Sequence, residues 1–408
     1  MADYADRHGA QHHAAWRTSK RQRQAWTPVA LPALLIFSLC AAAGCSEPST
    51  TGSTTGSGDA LSDDSDAGEI KEIDKDALEN WQVLEDNWFD GALASAWCDK
   101  SGDKWVLVGG GSNSYSIVEM VGSKWVKRGG QGTDQLWWVH GDESGRRIAV
   151  GNSGVILSWV AGTQQLTLTR LPRPGLEPVK TALYGVWFSE KSEDVWIVGG
   201  DPAVGPGSGV VFKIAKSALQ AGELKESQIE YAKLDDKLGV MFKVIGTDDG
   251  QLWVVGDGGQ IWHRKDEKWE LEATINTDVL IGIAGDSPTT LVTVGGRGSG
   301  VVARRGADGW STVAGGSSDS WISGLSAVVA MGPDEAVVAG SYGFVGVQNA
   351  STPKNELPGI EPPLTSMTLH GGFYTSKRQV IVGGTFDNPA APKRGCVLYK
   401  GPPLPKLL

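Results

Sequence analysis

Residues 252–262, with the sequence LWVVGDGGQIW, pass from an apolar run into a glycine cluster and back into an apolar run. Two structures fit such a pattern: a glycine-rich loop that cradles a phosphate, or a tight hairpin between two buried strands. The stretch lacks the Lys-Ser/Thr pair of a P-loop and the glycine spacing of a dinucleotide-binding loop. These absences favour the hairpin, and the rest of the chain decides which architecture contains it.

The apolar half of this stretch recurs along the chain. Seven four-residue segments such as VLVG, IAVG and WIVG end on a glycine, and successive glycines lie 39 to 57 residues apart. A period of about 40–50 residues with short strands is typical of a propeller blade. The repeated glycines are Gly109, Gly151, Gly199, Gly256, Gly295, Gly340 and Gly383.

Each repeat carries further strand-like segments around its glycine. An apolar residue usually precedes the glycine by twelve positions, a second apolar run follows it (GQIW, 259–262), and a third often starts with Trp (WELE, 269–272). We therefore predict an all-β fold, a seven-bladed β-propeller of four-stranded antiparallel blades, with strands A to D in each blade. The repeated glycine closes strand B, and Leu252–Trp262 is a B–C hairpin whose glycines supply positive φ and allow close backbone approach.

Strand B is apolar on both of its faces. The intermediate positions of the repeat, such as Leu107 and Val254, are mostly apolar like their neighbours. A strand with two apolar faces is covered on both sides. Blades packed face to face around an axis provide that environment.

The last repeat predicts how the ring closes. It ends with VLYK (397–400) and has no fourth strand, whereas NWQVLE (80–85) has the Trp-led pattern of a strand D. We expect residues 81–85 to complete blade seven and to cover its edge. The predicted propeller domain spans residues 76–408.

The N-terminal region has the pattern of an export signal. A basic segment (16–26) precedes an apolar run that ends in AAGC (42–45), which resembles a bacterial lipoprotein signal with Cys45 as the lipidated residue. An uncleaved anchor helix and ordinary signal cleavage are the alternatives. Residues 1–45 are thus predicted to be a lipoprotein-type signal peptide and residues 46–75, rich in Ser, Thr, Gly and acidic residues, a flexible tether.

These segments predict an exported protein held on a membrane by lipid, at the periplasmic face of the outer membrane or at the cell surface. Ser46 after the cysteine is compatible with outer-membrane sorting, by resemblance to lipoproteins generally. The formal net charge of −10 argues against a nucleic-acid partner. We expect a monomer.

The cysteines and histidines predict no metal site and no cofactor. The four cysteines form no C-x-x-C pair, and the three histidines beyond the N-terminal region are far apart in sequence. Cys98 and Cys396 fall in the first and last blades, which touch. They are either a closing disulfide or two separate thiols, since Cys396 lies in a column otherwise filled by apolar residues (Val155, Val210, Val301 and Phe344), where a thiol acts as a small apolar side chain.

Propeller ligands usually lie over the central channel, on the face formed by the B–C and D–A loops. The residues after the repeated glycines are poor in charge, so no catalytic residue is assigned. Adjacent strand residues face opposite ways, so one of Trp137 and Trp138 is expected to face the channel. The candidate binding residues of this channel mouth are Asn152, Asp257, Arg297, Tyr342 and Trp138.

The chain from about residue 81 resembles secreted bacterial propellers of the photosystem II assembly-factor and sialidase-like kind. The resemblance rests on VWFSEKSEDVWIVGG (186–200) and DGQLWVVGDGGQIW (249–262). It implies the propeller fold. The Asp-box of sialidases is absent from the sequence, so glycosidase activity does not follow from it.

Our functional prediction is a lipid-anchored, non-catalytic propeller that binds another envelope protein or a surface polysaccharide. The alternative is a glycosidase- or lyase-type enzyme with its site over the central channel. Asp, Glu and Arg side chains converging at the channel mouth would favour the enzyme.

Overall fold

The computed structural model describes residues 80–405, except 87–88, 90, 112–113, 122, 132–134, 173–180, 316–321, 350–351, 353–356 and 386–393. These residues form seven antiparallel sheets, so the predicted seven-bladed β-propeller is confirmed. Each innermost strand contacts that of the next blade, and the innermost strands of blades seven and one also contact each other. The described part of the chain contains no helix long and apolar enough to cross a membrane.

The strands follow the order A to D from the axis outward, and their bounds are as follows. Before blade one lies β1 (Gln82–Asp86). Blade one has β2 (Ala92–Cys98), β3 (Trp105–Gly111), β4 (Ser114–Val121) and β5 (Lys124–Gln131). Blade two has β6 (Leu136–Gly141), β7 (Arg146–Gly151), β8 (Val155–Val160) and β9 (Leu166–Arg170). Blade three has β10 (Ala182–Trp187), β11 (Asp194–Gly200), β12 (Val210–Ala215) and β13 (Glu230–Tyr231).

The remaining blades continue the same order. Blade four has β14 (Met241–Gly246), β15 (Leu252–Gly256), β16 (Gln260–Lys265) and β17 (Lys268–Thr274). Blade five has β18 (Leu280–Ala284), β19 (Val292–Gly295), β20 (Val301–Gly306) and β21 (Gly309–Gly315). Blade six has β22 (Leu325–Ala330), β23 (Glu335–Gly340) and β24 (Val345–Asn349). Blade seven has β25 (Thr368–Tyr374), β26 (Gln379–Gly384) and β27 (Gly395–Lys400).

Blade seven takes its outer strand from the start of the domain. β1 pairs antiparallel with β27, from Gln82 opposite Tyr399 to Asp86 opposite Gly395. The sheet order is β1-β27-β26-β25. The side chain of Tyr399 donates a hydrogen bond to Gln82 Oε1 at 2.6 Å across this pairing.

Blade six departs from the predicted four strands. Among its described residues, which leave out 350–351 and 353–356, the sheet has three strands, and an isolated bridge between Gly346 and Gly359 lies in the place of strand D. Two backbone hydrogen bonds hold this segment, from Val347 N to Pro358 O and from Ile360 N to Val345 O. Pro358 has no N–H to give, and Pro362 and Pro363 follow shortly after, so the segment cannot extend a full ladder.

The core consists of apolar layers between neighbouring blades. Seven buried clusters each join two adjacent blades, and an eighth lies near the axis. Strand B serves two layers at once: Ile197 packs between blades two and three, while Val198 packs between blades three and four. The predicted burial of both faces of strand B is confirmed.

The repeated glycines mark a close approach of two backbones. A Cβ built on any of the seven would lie 1.9–2.3 Å from a carbonyl oxygen at or just before the start of strand A in the same blade. No side chain fits there, which explains the glycine repeat. In LWVVGDGGQIW, residues 257–259 connect β15 to β16, with φ of 69° at Gly258 and 67° at Gly259, so the hairpin interpretation is confirmed.

Blade three contains an insertion between its strands C and D. It includes the one-turn helix α1 (Lys216–Gln220) and a 3-10 turn (Glu226–Gln228). Leu219 of α1 is buried in the layer between blades two and three. The buried Lys216 donates a hydrogen bond from Nζ to Ser189 O at 2.9 Å, which fixes the start of the helix. The insertion is therefore docked on the ring.

Candidate functional site

A β-bulge in every strand A shapes the channel mouth. One extra residue lies just after the residue that pairs with the repeated glycine. Bulges re-aim side chains relative to the regular alternation of a strand. The extra residues are Ala94, Trp137, Tyr184, Phe242, Ile281, Ser326 and His370.

Several of these residues meet around the axis. The ring centroids of Trp137 and Tyr184 lie 5.7 Å apart, and those of Tyr184 and Phe242 lie 5.0 Å apart. Ile281 belongs to the same apolar cluster. We call Trp137, Tyr184, Phe242 and Ile281 the apolar floor; it spans blades two to five.

Polar groups at the rim hold the floor in place. Trp137 donates from its indole N–H to Asn152 Oδ1 at 2.7 Å, which fixes the ring plane. Tyr184 is buried, and burial, together with the charges of Asp201 and Asp257, raises the pKa of its hydroxyl. The hydroxyl therefore stays protonated and can donate a hydrogen bond at the mouth.

The rim of blades four and five carries a small charge network. Arg297 Nη2 lies 3.5 Å from Asp257 Oδ1, and Arg297 Nε lies 3.5 Å from Asp278 Oδ2. Asp257 also accepts a hydrogen bond from Val240 N at 3.1 Å. Burial raises the pKa of Asp257, while the Val240 N–H and Arg297 act in the opposite direction. About half of the Arg297 side chain remains exposed.

Tyr342 is an exposed aromatic residue in a left-handed conformation. It lies in the B–C loop of blade six with φ 57° and ψ 30°, and 60% of it is exposed. The B–C loops of blades two and four have the same three-residue form, with Ser153 at φ 57° and Gly258 at φ 69° at the matching position. Glycine adopts this conformation at no steric cost, whereas a bulky residue is strained.

A buried lysine lies below the floor. Lys243 is 7% exposed; its Nζ donates to Tyr184 O at 2.8 Å and lies 4.0 Å from the centroid of the Trp138 ring. Burial lowers the pKa of Lys243 to about 7. Burial also lowers the pKa of the nearby His370 to about 4, and the charge of Lys243 adds to this shift.

The structure thus places the predicted mouth residues at different depths. Asn152, Asp257, Arg297 and Tyr342 lie on the B–C loops of the mouth. Trp138 lies deeper, against Lys243, and its neighbour Trp137 forms the floor instead. Of the two tryptophans, Trp137 is the one near the axis, whereas Trp138 was the candidate chosen from the sequence; the bulge between Leu136 and Trp138 interrupts the regular alternation of the strand here.

Sequence reasoning missed Tyr184, Phe242 and Lys243 as residues near the axis, and it left open which of Trp137 and Trp138 lies there. A signal existed: the residue paired with the repeated glycine is leucine in six blades and methionine in blade four, and all seven are fully buried. The floor position follows this residue directly in the sequence. Aligning the repeats on this column would have identified it.

A small pocket opens beside the floor. It has a volume of about 50 Å³ and is lined by residues of blades four to seven, among them Phe242, Ile281, Arg297, Ser326 and Ser341. The volume suits a few water molecules or one small side chain. The mouth is therefore a shallow surface with an apolar centre.

Cys98 and Cys396 are not joined by a disulfide in this structure. Cys98 lies at the end of β2 and packs in the layer between blades seven and one. Cys396 lies near the start of β27 and packs in the layer between blades six and seven. The two thiols belong to different layers, so no disulfide closes the ring here.

No group of three or more metal-ligating side chains occurs among the residues that the structure describes. Cys45, the signal segment 1–45 and the tether 46–75 lie outside the described residues, as do 112–113 and 386–393 of the blade one and blade seven B–C loops.

The likeness to known proteins is structural. No family profile and no curated protein sequence matches the chain. Two structures of the protein YCF48 are similar: one bound to a D1 peptide (TM-score 0.54, 13% identity, 80% of this chain and 98% of that one) and one from Cyanidioschyzon merolae (0.52, 14%, 79% and 98%). The WD40 repeats of RRP9 are similar too (0.55, 11%, 78% and 97%). At these identities the likeness shows a shared propeller fold.

Proposed function

We propose that this chain is a lipid-anchored envelope protein whose propeller is a non-catalytic scaffold, with the channel mouth binding a segment of another envelope protein. The observation that carries the proposal is Tyr342, a large exposed aromatic side chain held at the rim in a conformation that favours glycine. Backbone strain of this kind clusters at binding sites and active sites. Tyrosine is also among the residues that supply most of the energy of protein–protein binding.

The surroundings of Tyr342 suit a protein ligand. The shallow mouth combines the apolar floor with a polar rim, the arrangement of a small protein interface. Asn152 and the Asp257–Arg297–Asp278 network provide hydrogen-bond donors and acceptors around the floor. Among the similar structures, YCF48 is described as bound to a peptide, which supports the same use of this fold.

The test compares two glycine substitutions at matching positions. Tyr342→Gly removes the aromatic ring and relieves the strain, so the fold keeps or gains up to about 1 kcal/mol while partner binding falls at least about tenfold. Ser153→Gly relieves the same strain in blade two and leaves the ring of Tyr342 in place. The full-length chain and both variants would be crosslinked to solubilised envelope of the source cell, and retained proteins quantified. Equal retention by all three would contradict the proposal.

The enzymatic alternative has one specific observation in its favour. Asp257 and Asp278 converge on Arg297, and the raised pKa of Asp257 is a property of general acids. Both carboxylates share the same guanidinium, which reduces their freedom to act on a substrate. Turnover of an envelope glycan by the wild-type chain, abolished in Asp257→Asn, would establish the enzyme and displace the scaffold.

A further inference from the structure

A crevice lies away from the mouth, between blade two and the insertion of blade three. It has a volume of about 280 Å³. One wall is the outer part of the blade two sheet, including Ser158 of β8 and Thr167 of β9, and the other is the end of α1 at Gln220. The volume is close to the lower end of small-molecule pockets, roughly 300 Å³.

Both walls are fixed. Leu219 of α1 is 1% exposed, and Ser158 Oγ reaches Leu219 O at 3.4 Å. Lys216 at the start of α1 is tied to Ser189 O and lies 4.0 Å from Asp142 Oδ2. A preformed cavity binds a ligand without the cost of ordering its walls.

The lining of the crevice is rich in hydrogen-bonding groups and contains no carboxylate. Its polar residues are Arg146, Ser158, Thr163, Gln165, Thr167 and Gln220. Thr163 donates its hydroxyl proton to Val160 O at 2.8 Å and so offers its oxygen to a ligand as an acceptor. The amides of Gln165 and Gln220 and the hydroxyl of Thr167 can each donate and accept.

Arg146 gives the crevice its charge. Its main-chain groups are used in the blade: N–H donates to Asp142 Oδ1 at 3.0 Å, and the carbonyl accepts from Arg147 Nη1 at 2.8 Å. Its guanidinium has no ion pair within the described ranges. Burial lowers the pKa of Lys216, and the charge of Arg146 adds to this shift while the Asp142 carboxylate opposes it, so Arg146 and Lys216 are two cations near this wall. A half-buried guanidinium without a carboxylate is suited to a bidentate contact with an incoming anion.

We propose that this crevice binds an acidic sugar unit, with the sugar carboxylate on the Arg146 guanidinium and its hydroxyls on Gln165, Thr167 and Gln220. A carboxylate with several hydroxyls matches one guanidinium surrounded by amides and hydroxyls. A cationic ligand would be repelled by Arg146, and a purely apolar one would leave the amides unpaired. This site is separate from the channel mouth and does not depend on the function proposed for it.

The test uses glucuronic acid as the probe and glucose as its neutral counterpart. We expect saturable binding of glucuronate to the full-length chain in titration calorimetry or ligand-observed NMR, at least about tenfold tighter than glucose and weaker at high salt. Arg146→Met should weaken glucuronate binding about tenfold, and Gln220→Ala about threefold. Arg264→Met, on strand C of blade four, is the matched control and should leave the binding unchanged.

Several outcomes would overturn the proposal. If glucose binds as tightly as glucuronate, the carboxylate is not recognised. If inorganic phosphate competes as effectively as free glucuronate does, the sugar is not recognised. Wild-type affinity in Arg146→Met, or no saturable binding up to the solubility of the probe, would refute the site. If Arg146→Met fails to fold, the site is tested by two other results: the effect of Gln220→Ala, which changes an exposed residue, and the comparison of glucose with glucuronate.

Discussion

The strongest prediction concerns the repeated glycine of blade five. In Gly295→Ala the new Cβ would lie 2.0 Å from Val279 O, 2.8 Å from Leu280 Cα and 2.9 Å from Val279 C. All three atoms belong to the backbone, so no side chain can rotate away. Real Cβ atoms do not approach closer than 3.0 Å, and the start of strand A must therefore shift by about 1 Å.

The expected loss of stability follows from two contributions. Forcing an extra methyl group into a packed backbone contact costs about 1–3 kcal/mol. The shift also stretches the hydrogen bond from Gly296 N to Val279 O, now 2.9 Å, which contributes about 0.5–1.5 kcal/mol. The sum is about 1.5–4.5 kcal/mol, which lowers Tm by roughly 2–6 °C in a domain of this size.

The assay is urea and thermal unfolding followed by Trp fluorescence, since the chain contains 17 Trp. Gly298→Ala is the control in the same blade, because nothing lies within 4 Å of its Cβ and its φ is not left-handed. Its stability should stay within about 0.5 kcal/mol of wild type. If both variants unfold at the same urea concentration, steric exclusion is not the reason for the glycine repeat.

Three further predictions concern buried charges and the outer strand of blade seven. The pKa of Lys243 is about 7 in the folded chain and 10.5 in the unfolded chain. Between pH 7 and 10.5 the unfolded chain therefore binds more protons, and the free energy of unfolding rises with pH. Lys243→Met should abolish this rise and stabilise the fold by about 1–3 kcal/mol at pH 7. The pKa of His370 is about 4 in the folded chain and 6.5 in the unfolded chain, so the urea midpoint of unfolding should fall as the pH drops from 6.5 to 4. His370→Gln should reduce this fall. Deleting residues 70–88 removes β1, and we expect loss of the cooperative transition in calorimetry; a chain that still melts as wild type would contradict this.

Much of the fold was accessible from the sequence because the repeat reflects a physical requirement. The position of the repeated glycine has no room for a side chain, and the apolar residues before it fill two layers of the core. Both requirements recur in every blade, so the sequence pattern repeats with the blade. In the described part of blade six a single bridge replaces the fourth strand, because Pro358 has no N–H to donate to a ladder, and a search for repeats does not detect this.

The candidate site was harder to predict because one extra residue per strand changes its geometry. The rim residues Asn152 and Asp257 follow the repeated glycine directly and Tyr342 follows it by two positions, so their place was predictable. The floor residues Trp137 and Tyr184 lie in bulges, where the alternation of a strand no longer indicates direction. The crevice at Arg146 depends on an insertion from another blade, a contact that no local pattern contains.

The pairing of β1 with β27 has a mechanical consequence. Five residue pairs join the two strands, and the chain that precedes Asn80 enters this ladder at its Gln82 end. A pull on that end along the strand axis loads all five pairs together in shear, whereas a pull across the sheet opens them one after another. If the preceding segment tethers the ring to a surface, the same ladder that completes blade seven also carries the tension, and its resistance depends on the direction of the force.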